Sequence, residues 1–192
     1  MEIEVTSDVV ILAGGHGTRL ASDWSGPKCL APVGGRPFIA WVLEGLERQG
    51  FRRAILALGV GSVEVTLEVE KHKPHGMAIE YSVDTVSGTD NAVEVALALT
   101  RSRDVVVVNG DTLVWWSARE VLNEHVKGKF FATTQVDDMS TGVAVHTGIN
   151  IHRASALKGP KQIVRGRYPF IDIGTPSGLR AVRDRASQGR LW

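Results

Sequence analysis

Cysteine is almost missing from this chain: Cys29 is the only one among 192 residues. A single thiol excludes an intrachain disulfide and a cysteine-rich zinc site, and it fits a reducing compartment. Net charge is nearly missing too. Lysine and arginine number 22 against 21 aspartates and glutamates, a formal charge of +1. That excludes a polyanion binder held by bulk electrostatics, so nucleic acid is not an expected partner and any phosphate recognition must be local. No apolar run approaches the ~18–20 residues that span a bilayer. The first ten residues carry acidic charges and lack the basic start of a secretory signal. The expectation is a cytoplasmic protein with no membrane partner. What is present is 43% apolar and 22% charged, the balance of a soluble globular domain. One domain over 1–192 is the economical reading.

Short β-rich runs alternate with helical stretches, which predicts an α/β fold with a mostly parallel sheet. Strands are expected at Val9–Leu12, Ala54–Leu58, Ile79–Val83 and Val105–Val108. The last is four β-branched residues in a row, as suits a strand buried on both faces. Helices are expected over Pro37 to Gln49, Val63 to His72, Thr89 to Arg101 and Ser117 to Val126, with Gly50 as a stop. Phe130 to Val136 and Gly142 to Ile151 read as an antiparallel addition. Arg153 to Arg167 is basic and contains glycine, so it is expected to be a loop. Phe170 to Gly174 reads as a last strand and Pro176 opens a final helix through Ala186.

The first buried strand runs into Leu12-Ala13-Gly14-Gly15-His16-Gly17-Thr18-Arg19-Leu20. Glycines after a strand let backbone N–H groups approach phosphate oxygens closely, and Arg19 adds a forked cation. The spacing fits neither the Walker pattern nor the dinucleotide fingerprint. By itself the loop is an anion cradle or simply a tight strand-to-helix turn. A second cation follows in Pro27-Lys28-Cys29-Leu30-Ala31-Pro32-Val33-Gly34-Gly35-Arg36-Pro37, framed by three prolines. Asp111 follows the Val105–Val108 strand, at the carboxyl end where open α/β sheets place ligands. It either holds a hard cation such as Mg²⁺ or caps the turn before the Ser117 helix.

Together, Leu12–Leu20 and Pro27–Ile39 resemble the signature of the sugar 1-phosphate nucleotidyltransferases, the pyrophosphorylases that make nucleotide-activated sugars. The resemblance covers residues 8–112 closely and 142–182 more loosely. It implies a Rossmann-like three-layer sandwich of the nucleotide-diphospho-sugar transferase type, with an NTP and a sugar 1-phosphate as ligands and Mg²⁺ as cofactor. It also implies that Leu12, Ala13, Gly14, Gly15, Gly17 and Thr18 wrap the triphosphate and that Arg19 and Lys28 contact its phosphates. Asn109-Gly110-Asp111 resembles the family's metal-binding Asn-Gly-Asp. Asp172, in Phe170-Ile171-Asp172-Ile173-Gly174-Thr175-Pro176, resembles its second metal-binding aspartate. Asn109, Gly110 and Gly148 then fall on the acceptor side, and Arg19, Lys28 and Asp111 become the catalytic set. Assembly into a homo-oligomer is common in the family.

Two departures stand out. The Gly-Thr-Gly segment beside the base reads Gly88-Thr89-Asp90 here. Thr89 and Asp90 either cap a helix or meet the base, and an aspartate there favours GTP because it can accept both ring-edge N–H groups of guanine. The family's Glu-Lys segment, whose lysine holds the sugar phosphate, is absent, and the asparagine of the following turn is replaced by His146 or Thr147. Lys158, Lys161, Arg165 and Arg167 either supply the missing cation or form a solvated loop. Trp115 and Trp116 either stack on a ligand or pack under the next helix. The compact length and the C-terminal motif look most like heptose 1-phosphate nucleotidyltransferases, which commonly use GTP. The rivals are a molybdenum-cofactor-type guanylyltransferase and a non-catalytic nucleotide-sugar-binding protein of the same fold.

Overall fold

The computed structural model describes residues 5–15, 17–20, 23–59, 61–83, 89–129, 132–138, 144–153 and 161–191. In chain order the strands β1 (Val9–Leu12), β2 (Pro32–Val33) and β3 (Arg36–Pro37) lead into helix α1 (Phe38–Arg48). Then come β4 (Arg53–Leu58), α2 (Ser62–His72), β5 (Ala78–Val83), α3 (Thr89–Leu97), β6 (Asp104–Asn109), β7 (Thr112–Val114) and α4 (Ala118–Lys127). The chain continues through β8 (Ala132–Asp138), β9 (Ala144–Arg153), β10 (Lys161–Gly166), β11 (Phe170–Asp172) and α5 (Pro176–Ser187).

Seven strands form one sheet in the order β10-β8-β9-β6-β1-β4-β5. β1, β4, β5 and β6 are mutually parallel, and β9 runs antiparallel to both β6 and β8. The valine run of β6 serves both faces of this sheet. Val105 and Val107 join Val10, Ile55, Ala57 and Ala96 of α3. Val106 and Val108 point the other way, into the larger core filled by α1, α2, α4 and α5. Helices therefore cover both faces, and each fully buried apolar side chain such as Phe38 or Leu43 contributes about 1.5–3 kcal/mol. Among the described residues no helix is long and apolar enough to cross a membrane.

The chain runs from β1 outward to β4 and β5, then crosses back to β6 on the opposite side of β1. The loops leaving β1 and β6 diverge at this switch point, where open α/β sheets place ligands outside the carboxyl ends of their strands.

One expected loop is corrected. Within the stretch expected to be a loop over 153–167, Arg153 ends β9 and residues Lys161–Gly166 form β10, an edge strand parallel to β8. Its side chains alternate between exposed Lys161, Ile163 and Arg165 and half-buried Gln162 and Val164. Basic residues on the outward positions disguise the period of two, and charges of this kind protect an edge from further pairing. The final strand is shorter than expected and pairs with β7 in a separate two-stranded ladder rather than joining the main sheet.

Candidate active site

The backbone after β1 makes close approaches that favour glycine. A Cβ on Gly14 would stand 3.1 Å from the Gly59 nitrogen, and one on Gly110 would stand 2.9 Å from the Leu12 carbonyl oxygen. The loops after β1, β4 and β6 are thus drawn together, with Gly110 N–H donating to Leu12 O and Ala13 N–H to Ala57 O. Gly17 is left-handed at φ +66. There the loop turns back into a short 3₁₀ segment, Thr18–Leu20, closed by Leu20 N–H donating to Gly17 O. Thr18 and Arg19 are exposed on it.

The Pro27–Pro37 segment folds over this loop. Lys28 N–H donates to Gly15 O, and the Lys28 side chain runs past the positions where Gly15 and Gly17 would carry Cβ atoms. The stem ends in an ion pair: Lys28 Nζ lies 2.6 Å from Asp111 Oδ2, with the side chains 16% and 21% exposed. Two sites separated by 83 residues in sequence therefore meet beneath the glycine loop. Pro27 is wedged against Gly61, and its carbonyl accepts from Trp24 Nε1. Gly34 and Gly35, at φ +56 and +77, form the two-residue bend between β2 and β3. Positive φ at both centres is what a type I′ hairpin requires. Cys29 lies behind the loop; burial pushes its thiol up to about 12, so it stays protonated and takes no part in nucleophilic chemistry.

β7 and β11 explain why two distant aspartates come to one place. Asp172 is paired with Thr112, and Ile173 N–H donates to Asp111 O. The exposed Asp172 carboxylate accepts from Gly174 N–H. Arg19 reaches the same corner, with Nη2 3.1 Å from where a Gly174 Cβ would be. Thr175 then caps α5 by accepting from Gly178 N–H. The donor set suits a hard divalent cation. Asp111 and Asp172 lie on neighbouring segments of the β7–β11 ladder, the Asp111 carboxylate paired with Lys28 and the Asp172 carboxylate accepting from Gly174 N–H, and among the described residues no group of three or more His, Cys, Asp or Glu side chains surrounds them. Magnesium needs no more from a protein than one or two carboxylates when phosphate and water complete its shell.

Asn109 at the end of β6 lies against Gly148 of β9. A Cβ on Gly148 would fall 2.6 Å from Asn109 Nδ2. Asn109, Gly110 and Gly148 are thus one cluster, beside a cleft lined by Val42, Gln49, Leu113, Trp116 and Thr147. Gly88 and Lys158 lie outside the described residues; Thr89 and Asp90 begin the backbone of α3. Arg165 is opposite Val136, which is opposite His146, so it shares a row with that histidine two strands away. Both tryptophans in question pack against the main core. Trp115 lies under Arg185, 4.5 Å from guanidinium to ring centroid, and the Trp116 carbonyl accepts from Gln49.

A family model described as "MobA-like NTP transferase domain" matches residues 9–127, from β1 through α4. The chain belongs to this family. The matched span contains the glycine loop, Lys28 and Asp111 but ends before Gly148 and Asp172. Among curated relatives, a D-glycero-alpha-D-manno-heptose 1-phosphate guanylyltransferase of Aneurinibacillus thermoaerophilus is 33% identical over 134 residues, 69% of this chain and 58% of that protein. A second protein of that name, from Campylobacter jejuni, is 37% identical over 105 residues, 54% of this chain and 47% of its own length. The chain thus spans about half the length of the curated relatives it matches. The crystal structure of HddC from Yersinia pseudotuberculosis complexed with GMP-PN superposes with a TM-score of 0.82 at 22% identity, covering 94% of this chain and 99% of that one. That likeness establishes the nucleotide-diphospho-sugar transferase fold for this MobA-like domain.

Sequence reasoning missed β7, and with it the ladder that joins Asp111 to Asp172. It also missed the Lys28–Asp111 pair, for which a sequence carries no signal beyond two charges. The β2–β3 bend was detectable, since two adjacent glycines between short extended runs mark a type I′ turn.

Proposed function

We propose that the chain transfers a guanylyl group from GTP to a heptose 1-phosphate, giving a GDP-heptose and pyrophosphate. Support comes from family membership and from the names of the two curated relatives. The observation that carries the reading is the convergence of the glycine loop, Lys28 and Asp111 at the switch point of the sheet.

In this reading the loop from Leu12 to Thr18 offers its N–H groups to the triphosphate, while Arg19 and Lys28 neutralise its charge. An acceptor phosphate oxygen attacks the α-phosphorus in line; the new P–O bond forms as the bond to the β-phosphate bridging oxygen breaks, and pyrophosphate leaves with that electron pair. No protein nucleophile is needed. The chain's work is to hold two mutually repelling anions in line and compensate developing charge. Asp111 and Asp172 would hold Mg²⁺, which supplies Lewis-acid stabilisation of phosphoryl oxygens. Asn109, Gly110 and Gly148 border the acceptor, and Gly88, Thr89 and Asp90 the base. The missing Glu-Lys segment favours one second reading, a nucleotide-sugar binder without turnover.

The test is pyrophosphate release with each of the four NTPs across a panel of sugar 1-phosphates, with and without Mg²⁺. Release that depends on both GTP and a heptose 1-phosphate is expected. GTP binding with no release for any pair would overturn the transferase reading in favour of the binder.

A further inference from the structure

His146 stands where the resemblance leads one to expect an asparagine, and its hydrogen bonds show what the replacement achieves. Its Nδ1 accepts the Gly148 N–H at 2.9 Å. In the neutral ring that places the proton on Nε2, 3.3 Å from Asn150 Oδ1. Thr134 Oγ1 donates to that same oxygen at 2.9 Å. A polar row thus runs from Gly148, inside β9, along that strand to β8. It lies beyond β6, whereas α3 packs on β1, β4 and β5. Thr147, the other candidate for the replaced residue, is buried among the residues lining the cleft on the α1 side.

An asparagine side-chain oxygen that accepts the N–H two residues on makes an Asx turn. His146 Nδ1 makes the same i to i+2 bond. The loop of atoms it closes spans Thr147 and Gly148 inside β9, where the register against β8 shifts; Gly148 is left-handed there at φ +84, pressed against the Asn109 amide so closely that no Cβ fits between them. The histidine adds what asparagine lacks: a second ring nitrogen that reaches Asn150 and ties the turn to β8 through Thr134.

We propose that His146 is a positioning residue for the acceptor side of the site, an imidazole substitute for an Asx turn that holds Gly148 against Asn109. The naming of that side as the acceptor's rests on the proposed function; the turn itself does not. The bonds of His146 run to Gly148 and Asn150, not to the described residues of the glycine loop or to Lys28, so its loss should affect the acceptor and spare GTP.

The experiment compares His146→Ala with His146→Asn in the full chain by two readouts. The first is hydrogen exchange at the Gly148 amide, followed by NMR without ligands. Exchange should be about tenfold or more faster in His146→Ala, and within about threefold of the original in His146→Asn, because the asparagine remakes the turn bond. The second is steady-state kinetics. His146→Ala should raise the acceptor KM about tenfold, the value of one lost hydrogen bond, while GTP affinity changes less than about twofold. His146→Asn should recover most of that loss. Unchanged Gly148 exchange in His146→Ala, an asparagine variant as impaired as alanine, or equal losses for GTP and acceptor would each overturn the proposal. If the unaltered chain releases no pyrophosphate at all, the proposed function fails, whereas the exchange comparison still decides whether His146 holds the turn.

Discussion

The Lys28–Asp111 pair makes a prediction of opposite signs. The Lys28 ammonium and the Asp111 carboxylate satisfy one another at 2.6 Å. The proposed reaction gives each a different partner, Lys28 a phosphate and Asp111 a cation. Nucleotide binding must therefore exchange one pair for two. With the side chains 16% and 21% exposed, the contact lies between a solvated ion pair worth about 0–1 kcal/mol and a buried one that costs about 3–5 kcal/mol to break. A charge-assisted hydrogen bond of about 1.5–3 kcal/mol is the appropriate scale. Lys28→Met should therefore lower the melting temperature by about 3–12 °C at ~2–4 °C per kcal/mol for a chain of this size. It should also weaken GTP binding by about tenfold or more through the lost phosphate contact. Asp111→Asn behaves differently. It frees Lys28 and removes a negative charge beside the triphosphate, so GTP affinity without Mg²⁺ should rise about 3–10-fold. With Mg²⁺ present, affinity should fall. Isothermal titration with GTP, in EDTA and in excess Mg²⁺, measures both. Thermal melts of the two single variants and the double variant should show losses that are non-additive by about 1–3 kcal/mol. Additive losses, or an Asp111→Asn variant that binds GTP more weakly under both conditions, would refute the exchange.

Four further outcomes follow from named contacts. Arg53, 12% exposed, ties β4 to Asp8 and Glu80 and donates to the Leu99 carbonyl; Arg53→Met should cost about 3–5 kcal/mol in urea unfolding, and a loss under 1 kcal/mol would contradict its bracing role. Gly110→Ala forces a Cβ to 2.9 Å from the Leu12 carbonyl oxygen between two core strands; a loss of about 1–3 kcal/mol is expected, and a variant of unchanged stability would show that the strands can part. Burial holds the thiol of Cys29 near 12, so a thiol reagent should label the native chain at pH 8 far more slowly than the urea-unfolded one; equal rates would contradict its place behind the loop. Burial also lowers the pKa of His125 from 6.5, against the opposing hydrogen bond to Asp104, and lowers that of His152 with the help of His125 and Lys161. Below pH 6.5 the unfolded chain takes up protons that the folded chain refuses, so stability present above that pH is lost as pH falls. Melting temperature should drop from pH 7.5 to 5.5, and less steeply in His152→Gln; an identical slope in that variant would remove His152 from the explanation.

Most of the architecture was legible because it rests on patterns with a physical period. The valine run of β6 is apolar throughout because both faces are buried, and the helix through Trp41, Val42 and Leu46 repeats at helical spacing. The glycine-rich turn after β1 was legible because Gly14 comes within close backbone approach of Gly59, which favours a residue without Cβ. What escaped detection depends on tertiary contact or on mixed signals. β10 hides its alternation under Lys161 and Arg165, the charges that make it a safe edge. β7 is three residues long and acquires its identity only by pairing with β11. The buried His125 of α4, held between Thr133 Oγ1 at 2.8 Å and Asp104 Oδ1 at 3.3 Å, uses partners from two strands that no local pattern brings together. That the family's asparagine is replaced by His146 or Thr147 was visible in sequence; the bond from Gly148 N–H to the His146 ring, on which the proposed positioning role rests, was not.

In the proposed function the glycine loop, Lys28 and Asp111 together carry guanylyl transfer. It is tested most directly with GTP labelled at the α-phosphate, a heptose 1-phosphate and Mg²⁺, followed by separation of the products. Label is expected in a sugar nucleotide, formed in equal amount with unlabelled pyrophosphate and lost in Lys28→Met. Label that stays in GTP, or appears only as GMP or GDP, would contradict it.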